Sequence, residues 1–292
     1  VLLAVPGFLG YQSLKTIINC GKDVVDISFS PENVLTLDQL AKEKNVTAVV
    51  DAGVAPGIPN FLLGYWNSKM KINSFDYCVG GLPKNPSPPY NYKAPFSPID
   101  VIEEYTRPAR MRINSQVVTK PALSDLEILN FSEVGKLEAF NTDGLRSLLQ
   151  TMSHIPNMKE KTLRYPGHAK LIQSMIDDGL FNNKNFDKTI NELFKDWKLK
   201  EDEPEFTILD INIYSDTKNI HYHLYDETDD ISKSSSMART TGFTATATIN
   251  MLLNNLWSKK GVFPPELVGE NEQCVDFLLS YLSARNVTMS LN

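Results

Sequence analysis

The chain has 292 residues, 42% of them hydrophobic and 22% charged, an ordinary globular composition with length enough for two domains. A formal net charge of -6 argues against nucleic acid or an anionic membrane as the main partner, because either favours a basic face. No apolar run reaches the roughly 18 to 20 residues that a membrane helix needs, and no basic, apolar, small-residue order of a signal peptide is present; the expectation is a cytoplasmic protein. Cys20, Cys78 and Cys274 are scattered with no CxxC spacing, which points to reduced thiols and to no metal site.

The first stretch, "VLLAV", reads as a fully buried strand. Buried strands rarely begin a protein, so part of the fold is expected to lie upstream. "VLLAVPGFLGYQSLKTIINCGKDVVDIS" continues as strand, Pro-Gly turn, helix closed near Gly21 and strand, a βαβ unit. "PENVLTLDQLAKEKNVTAVVDAG" adds an amphipathic helix over residues 36–44 and an apolar strand, Thr47 to Val50, that ends at Asp51-Ala52-Gly53. Such alternation implies parallel strands joined by right-handed crossovers. Ligands of open α/β sheets sit beyond the carboxyl ends of the strands, which puts Pro6, Gly7 and Phe8 on the same edge as Asp51, Ala52 and Gly53.

After the helix predicted at "APGIPNFLLGYW" the texture becomes strand-rich. The expected strands are "SFDYCVGG", "YNYKAPF", "ARMRINSQVV", "DLEILNF", "KLEAFN", "KTLRYPG", "FTILDINIYS" and "IHYHLYDE", several of them alternating apolar with polar residues. Helices are expected near "TDGLRSLLQTM", "HAKLIQSMIDDGLF" and "FDKTINELFKDW", then a long helix from "SMARTTGF" and a final one near "NEQCVDFLLSYLSAR". Residues 1–64 are read as part of a nucleotide-binding domain, 65–235 as an α+β substrate domain with a largely antiparallel or mixed sheet, and 236–292 as helices that pack back on the first unit. Free strand edges of the middle unit suggest a homodimer. Neither GxGxxG nor GxxxxGK[ST] occurs, so a phosphate loop, if the protein uses one, lies outside this sequence. Three strands followed by a change of domain fit the second half of a doubly wound parallel sheet.

Ten ordered stretches, among them "VPGFLGYQSLKTII", "DAGVAPGIPN", "VGGLPKNPSPPYNYK", "SPIDVIEEYTRPAR", "FNTDGLRSLLQT", "TLRYPGH", "SSSMARTTGFTAT" and "GVFPPELVG", resemble the saccharopine dehydrogenase-like family, and within it the lysine 6-dehydrogenase branch. The resemblance implies a Rossmann domain, of which this chain carries the second half, and NAD as cofactor, with NADP as the alternative. It implies a small amino-acid or polyamine substrate and, as activity, oxidation of the ε-amine carbon of L-lysine by hydride transfer. It also implies that Gly80, Gly81, Leu82 and Pro83 form a turn against the nicotinamide, with Pro6, Gly7, Phe8, Asp51, Ala52 and Gly53 bordering the dinucleotide. An enzyme acting on saccharopine or carboxynorspermidine is the nearest rival, marked by a second arginine aimed into the pocket. A non-catalytic regulatory scaffold is the rival from another class.

The chemistry demands a cation for the substrate carboxylate and a base or dry pocket that frees the amine lone pair. Arg164, in "TLRYPGH", is a carboxylate fork or a structural ion pair, with Tyr165 beside it and Arg146 as competing candidate. Asn141 and Asp143 are amine ligands or helix caps. His168 is a proton carrier or a cap of the helix it opens. His221 and His223 share a strand face, read as solvated rather than metal-binding, and Glu103, Glu104, Tyr105 and Arg107 are read as a helix end before Pro108.

Overall fold

The computed structural model describes residues 1–182, 184–200 and 203–291. The chain begins with β1 (Leu2–Leu3), α1 (Gly7–Asn19), β2 (Val24–Asp26), a 3₁₀ turn (Val34–Leu37), α2 (Asp38–Glu43), β3 (Thr47–Val49) and α3 (Ile58–Asn67). It continues through β4 (Ser74–Pro83), α4 (Pro98–Thr106), β5 (Ala109–Ile113), β6 (Gln116–Lys120), β7 (Glu127–Phe131), β8 (Gly135–Asn141), α5 (Leu148–Thr151), β9 (Asn157–Arg164), α6 (His168–Asp177) and α7 (Phe186–Trp197). It closes with β10 (Glu205–Tyr214), β11 (Asn219–Glu227), α8 (Ser236–Leu253), β12 (Gly261–Phe263), α9 (Pro265–Gly269), α10 (Glu272–Ser283) and β13 (Met289–Leu291).

Two sheets result. The first is four-stranded and parallel, in the order β1-β2-β3-β12. Its strands are short apolar runs because both faces are covered: Leu14 and Ile18 of α1, Ala41 of α2 and Val34 pack on one side against Leu3, Val24, Ala48 and Val262. The second sheet is nine-stranded and mixed, in the order β13-β11-β10-β4-β9-β5-β6, with β8 also on β9 and β7 outside it. One pair, β4 with β9, is parallel. A single core runs from Val25, Val49 and Phe61 to Tyr77, Leu209, Met251 and Leu278, joining the two units. A second core under α4, α6 and α7 gathers Tyr92, Tyr105, Phe140, Leu163 and Trp197.

Helices α3 and α9 meet backbone to backbone. A Cβ added at Gly64 would lie 2.0 Å from the Glu266 carbonyl oxygen, and one at Gly269 would lie 2.1 Å from that of Phe61. Only glycine fits at either point. α8 buries Thr240, Thr244 and Thr248, and each hydroxyl donates to the carbonyl four residues back, so a polar stripe enters the interior with its donors satisfied.

The structure departs from the sequence expectation in four elements. "YNYKAPF" forms no strand, contributing only an isolated bridge at Ala94. "ARMRINSQVV" is a hairpin, β5 with β6, turned at Asn114 and Ser115, whose φ values of 49° and 68° are those of a tight hairpin turn. The helix expected from "TDGLRSLLQTM" shrinks to Leu148–Thr151, because Arg146 sits at φ 46°, which a right-handed helix cannot contain. The "VGGLP" corner is absent, as β4 runs straight through it to Pro83. No helix among the described residues is long and apolar enough to cross a membrane.

Candidate active site

The carboxyl ends of β1, β2 and β3 open onto one cleft of about 380 Å³, within the range of small-molecule sites. Val5 and Pro6 follow β1, Ser28 and Phe29 follow β2, and Asp51 and Gly53 follow β3. Val79, Gly80 and Gly81 of β4 form the floor, Asp100 and Glu104 of α4 one wall, Thr162 and Arg164 of β9 the rear, and Met237 and Thr241 of α8 the cover. Thus Pro6, Asp51, Gly53, Gly80, Gly81 and Arg164, predicted from distant parts of the chain, meet around one space. Gly7 and Phe8 begin α1 beside it, with Phe8 56% exposed, and Ala52 is in the core.

Gly80 and Gly81 are strand residues and not a turn, paired across to Ile208 and Thr207 of β10. Their glycine requirement comes from close packing. A Cβ on Gly80 would lie 2.8 Å from Leu163 Cβ, and one on Gly81 would lie 2.5 Å from Met237 Cε and 3.0 Å from Pro95 Cγ. Bare backbone lets α8 and the loop before α4 close over the strand and leaves a smooth floor. Leu82 continues into the second core, and the Pro83 carbonyl accepts the Tyr165 hydroxyl at 2.9 Å; neither these two nor Tyr165 lines the cleft.

Arg146 does not face open space. Its Nε donates to Asp51 Oδ1 and Oδ2 at 3.1 and 3.0 Å, and its guanidinium lies 4.4 Å from the centroid of Phe29. Both members of the pair have left-handed backbone, Asp51 at φ 54° and Arg146 at φ 46°. Asp tolerates that region, whereas Arg gains nothing from it. The strain is held by the ion pair, which ties the loop after β3 to the segment after β8.

Arg164 is 2% exposed. Its Nε donates to the Tyr105 hydroxyl at 2.8 Å, Nη1 to the Leu163 carbonyl at 2.9 Å and Nη2 to Glu104 Oε2 at 3.0 Å, and it stacks 4.4 Å from the Tyr92 ring centroid. Tyr105 accepts that bond and shares a 3.0 Å hydrogen bond with His168 Nε2, while His168 Nδ1 lies 2.8 Å from the Tyr90 carbonyl. A carbonyl only accepts, so Nδ1 carries the proton and Nε2 accepts from Tyr105. Burial first, and Arg164 second, pull the His168 pKa down to about 3. The imidazole is therefore a neutral prop behind Arg164, outside the cleft lining. Helix α6 is capped by Glu138, which accepts from Gly167 N and Ala169 N.

Asp143 accepts from the backbone N, Nε and Nη2 of Arg110 at 2.8 to 3.0 Å and caps no helix. Asn141 Nδ2 donates to Ser124 and Asp125 in a separate hollow on the far side of β9. His221 and His223 both turn to Asp210, and among the described residues no group of three or more His, Cys, Asp or Glu is arranged to hold a metal ion.

Sequence reasoning missed Glu160. Residues 160, 162 and 164 of β9 share a face, so Glu160, Thr162 and Arg164 form a polar row along the rear of the site. A small annex of about 30 Å³ opens behind the cleft, lined by Glu160, Glu103, Glu104, Asp143 and Arg107 and sharing Phe29, Val79 and Thr162 with it. Glu160 accepts from Thr142 Oγ1 at 2.7 and 2.9 Å and from Gly144 N at 3.0 Å. Burial, with the charges of Glu104 and Asp143, pushes its pKa up to about 8. The period-two recurrence of polar residues in "EKTLR" was the available signal.

The cleft also fits a flat heteroaromatic amide such as nicotinamide. Two buried atoms beside it, Asp100 Oδ1 and Ser28 Oγ, meet no hydrogen-bond partner among the described residues, and buried polar atoms of that kind require one. Val5, Pro6, Ala55, Pro56, Val79 and Met237 supply apolar walls.

Similarity to known proteins agrees with this geometry. The fold matches apo saccharopine dehydrogenase (L-Glu forming) from Saccharomyces cerevisiae with a TM-score of 0.76 at 15% identity, covering 100% of this chain and 84% of that one. It matches homospermidine synthase from Legionella pneumophila, solved with NAD, with a TM-score of 0.63 at 11% identity, covering 96% and 78%. In sequence the chain is 24% identical over 199 residues to mitochondrial alpha-aminoadipic semialdehyde synthase of Rattus norvegicus, covering 64% of this chain and 22% of that protein. It is 25% identical to the Arabidopsis thaliana alpha-aminoadipic semialdehyde synthase over 63% of this chain and 19% of the relative. The chain thus spans about a fifth of the length of these curated relatives. Residues 53–287, from the cleft loop after β3 to the segment between α10 and β13, match the saccharopine dehydrogenase C-terminal domain, and the chain belongs to that family.

Proposed function

We propose that the cleft is the substrate end of an NAD(P)-dependent dehydrogenase that oxidises a carbon bearing a primary amine, with the ε carbon of L-lysine as substrate. The observation that carries this reading is the convergence of three parallel strand ends on a bare glycine floor, with Arg164 at the rear. The family supports an oxidoreductase, and the homospermidine synthase relative, solved with NAD, supports a nicotinamide cofactor and an amine substrate. A bound nicotinamide supplies the hydride acceptor.

The chain's own residues supply the rest. Gly80 and Gly81 permit close approach of a flat ring, while Val5, Pro56 and Met237 exclude water. Arg164, propped by Tyr105 and His168, offers its Nη2 to the substrate carboxylate in exchange for Glu104. Carboxyls decide between substrates. Of the carboxyls that line the cleft and annex, Asp51, Glu103, Glu104 and Asp143 pair with Arg146, Arg107, Arg164 and Arg110, while Asp100 and Glu160 have no salt bridge among the described residues. That balance suits a cationic amine with one carboxylate and disfavours saccharopine, which carries several.

The test is to express the full natural reading frame and follow reduced-cofactor absorbance with NAD and NADP, offering L-lysine, saccharopine, carboxynorspermidine and putrescine. Turnover of lysine is expected. Turnover of saccharopine in preference to lysine overturns the substrate assignment, and absence of reduction with every amine overturns the dehydrogenase reading.

A further inference from the structure

The annex behind the cleft has a chemistry of its own. Its volume of about 30 Å³ exceeds the roughly 10 to 15 Å³ that a single water needs, room enough for a terminal ammonium. Three of its carboxyls already have cations, Glu103 with Arg107, Glu104 with Arg164 and Asp143 with Arg110. Glu160, 3% exposed, has hydrogen bonds alone, from the Thr142 hydroxyl and the Gly144 amide. A buried carboxyl of this sort either holds a proton or pairs with a cation brought to it. A hydroxyl path leads to it from the cleft, since Thr162, which lines both spaces, is 2.8 Å from Thr142.

Resting on the dehydrogenase reading above, we infer that the annex seats the substrate's amine and that Glu160 takes the proton this amine must lose before its carbon is oxidised. The ammonium gives one proton to the Glu160 carboxylate, directly or along Thr162 and Thr142. The freed lone pair forms the C=N bond as the hydrogen leaves carbon with its electron pair to a nicotinamide, so a neutral amine becomes an iminium and the oxidant gains one hydride. Glu160 then returns its proton to water. A pKa near 8 suits a base working close to neutral pH. The groups facing Glu160 are Tyr77 of β4, Glu103, Glu104 and Arg107 of α4, and Asp143 after β8. Burial pushes the Tyr77 pKa well up, away from the working range.

L-lysine and L-norleucine, which differ at the terminal amine, separate the annex from the rest of the site. Calorimetric titration of the full natural protein, held unreactive by NADH, is expected to show lysine binding roughly 10- to 100-fold more tightly than norleucine, the fold-change of one charge-assisted contact. Glu160→Gln is expected to erase that preference, lower kcat for lysine roughly 10²- to 10⁴-fold, remove the rise of kcat/KM as pH passes through about 8, and leave KM for NAD unchanged. Glu160→Asp is expected to restore part of both effects. A Glu160→Gln protein that still prefers lysine, or a wild type that binds both ligands equally, overturns the inference and leaves the dehydrogenase reading standing. Glu160-dependent lysine binding with no cofactor reduction overturns that reading and leaves the amine seat standing. Should Glu160→Gln fail to fold by thermal melting, the wild-type lysine-to-norleucine ratio and its pH dependence decide.

Discussion

Replacing Arg146 by alanine removes one member of an ion pair whose side chains are 9% and 4% exposed. Breaking a buried pair costs about 3 to 5 kcal/mol, mostly because the remaining charge stays buried. Here the remaining charge is Asp51, next to Asp26, whose carboxyl is already pushed up to about 7 by burial and loses a favourable neighbour when Arg146 goes. The backbone separates this account from generic packing. Arg146 is at φ 46°, where a side chain costs about 1 to 2 kcal/mol relative to glycine. Arg146→Gly is therefore expected to be more stable than Arg146→Ala by about 1 kcal/mol, the reverse of their order in an ordinary helix or strand. A double-mutant cycle with Asp51→Asn, read by urea unfolding monitored on tryptophan fluorescence and far-UV dichroism, is expected to show a coupling of about 0.5 to 3 kcal/mol. An Arg146→Ala loss below about 1 kcal/mol, typical of a surface pair, with alanine at least as stable as glycine, would refute the clamp.

Glu138→Ala strips the cap from α6 at Gly167 and Ala169 and is expected to cost about 1 to 2 kcal/mol by thermal melting. Gly64→Ala drives a Cβ to within 2.0 Å of the Glu266 carbonyl; neither helix can yield cheaply, so a loss of about 1 to 3 kcal/mol in urea unfolding is expected. His168 titrates at about 3 in the folded protein against an ordinary 6.5. The unfolded chain takes up that proton first, so the stability contributed by neutral His168 is complete above 6.5 and lost as pH falls toward 3. His168→Asn is expected to flatten the acid limb of a melting-temperature profile. Glu160 runs the other way, because its folded pKa of about 8 lies above the ordinary 4.5. Its proton stabilises the folded state at low pH, and that gain is lost as pH rises from 4.5 to 8, so Glu160→Gln is expected to raise melting temperature at pH 9 more than at pH 5.

The parallel unit was legible because strands buried on both faces read as apolar runs, and Gly21, at φ 64°, ends its helix as a glycine should. The glycine pair of β4 was legible as a special place but misread as a corner. Local sequence cannot show that Leu163 and Met237 press against it, and glycine is the commonest signal for a turn. Arg146 looked like a ligand fork because its residue type suits one, whereas its backbone angle and its partner Asp51 are set by the packing of one unit on the other. In "NMKEKTLR" lysines alternate with Glu160 and Thr162, the pattern of a strand with one solvated face. Both faces of β9 are instead buried from Glu160 to Arg164, with Met158 in one core and Leu163 in the other. Even Lys161 is buried, paired with Glu127.

Glu160 is not alone in being a buried carboxyl without a cation. Asp26, Glu205 and Glu266 are also buried, and burial raises the pKa of each. What separates them is space. Asp26 accepts from Ser28 N, Glu205 from Met237 N, and Glu266 from Asn60 and Thr151, and none of the three lines the cleft or the annex. Asp26 and Glu266 are polar fittings of the packed interior, and Glu205, though its Oε2 meets no hydrogen-bond partner among the described residues, borders neither space. Glu160 borders a small cavity at the end of a hydroxyl path from the cleft, on the same strand face as Arg164, the residue proposed to meet the substrate carboxylate. Along a strand of about 3.3 Å per residue, positions 160 and 164 lie about 13 Å apart at Cα, with Thr162 on the same face between them. The cost of ionising Glu160 in the interior is avoided by its own proton below a pH of about 8 and offset by an ammonium where one is bound, which on the proposed reading makes the annex a device for selecting the amine.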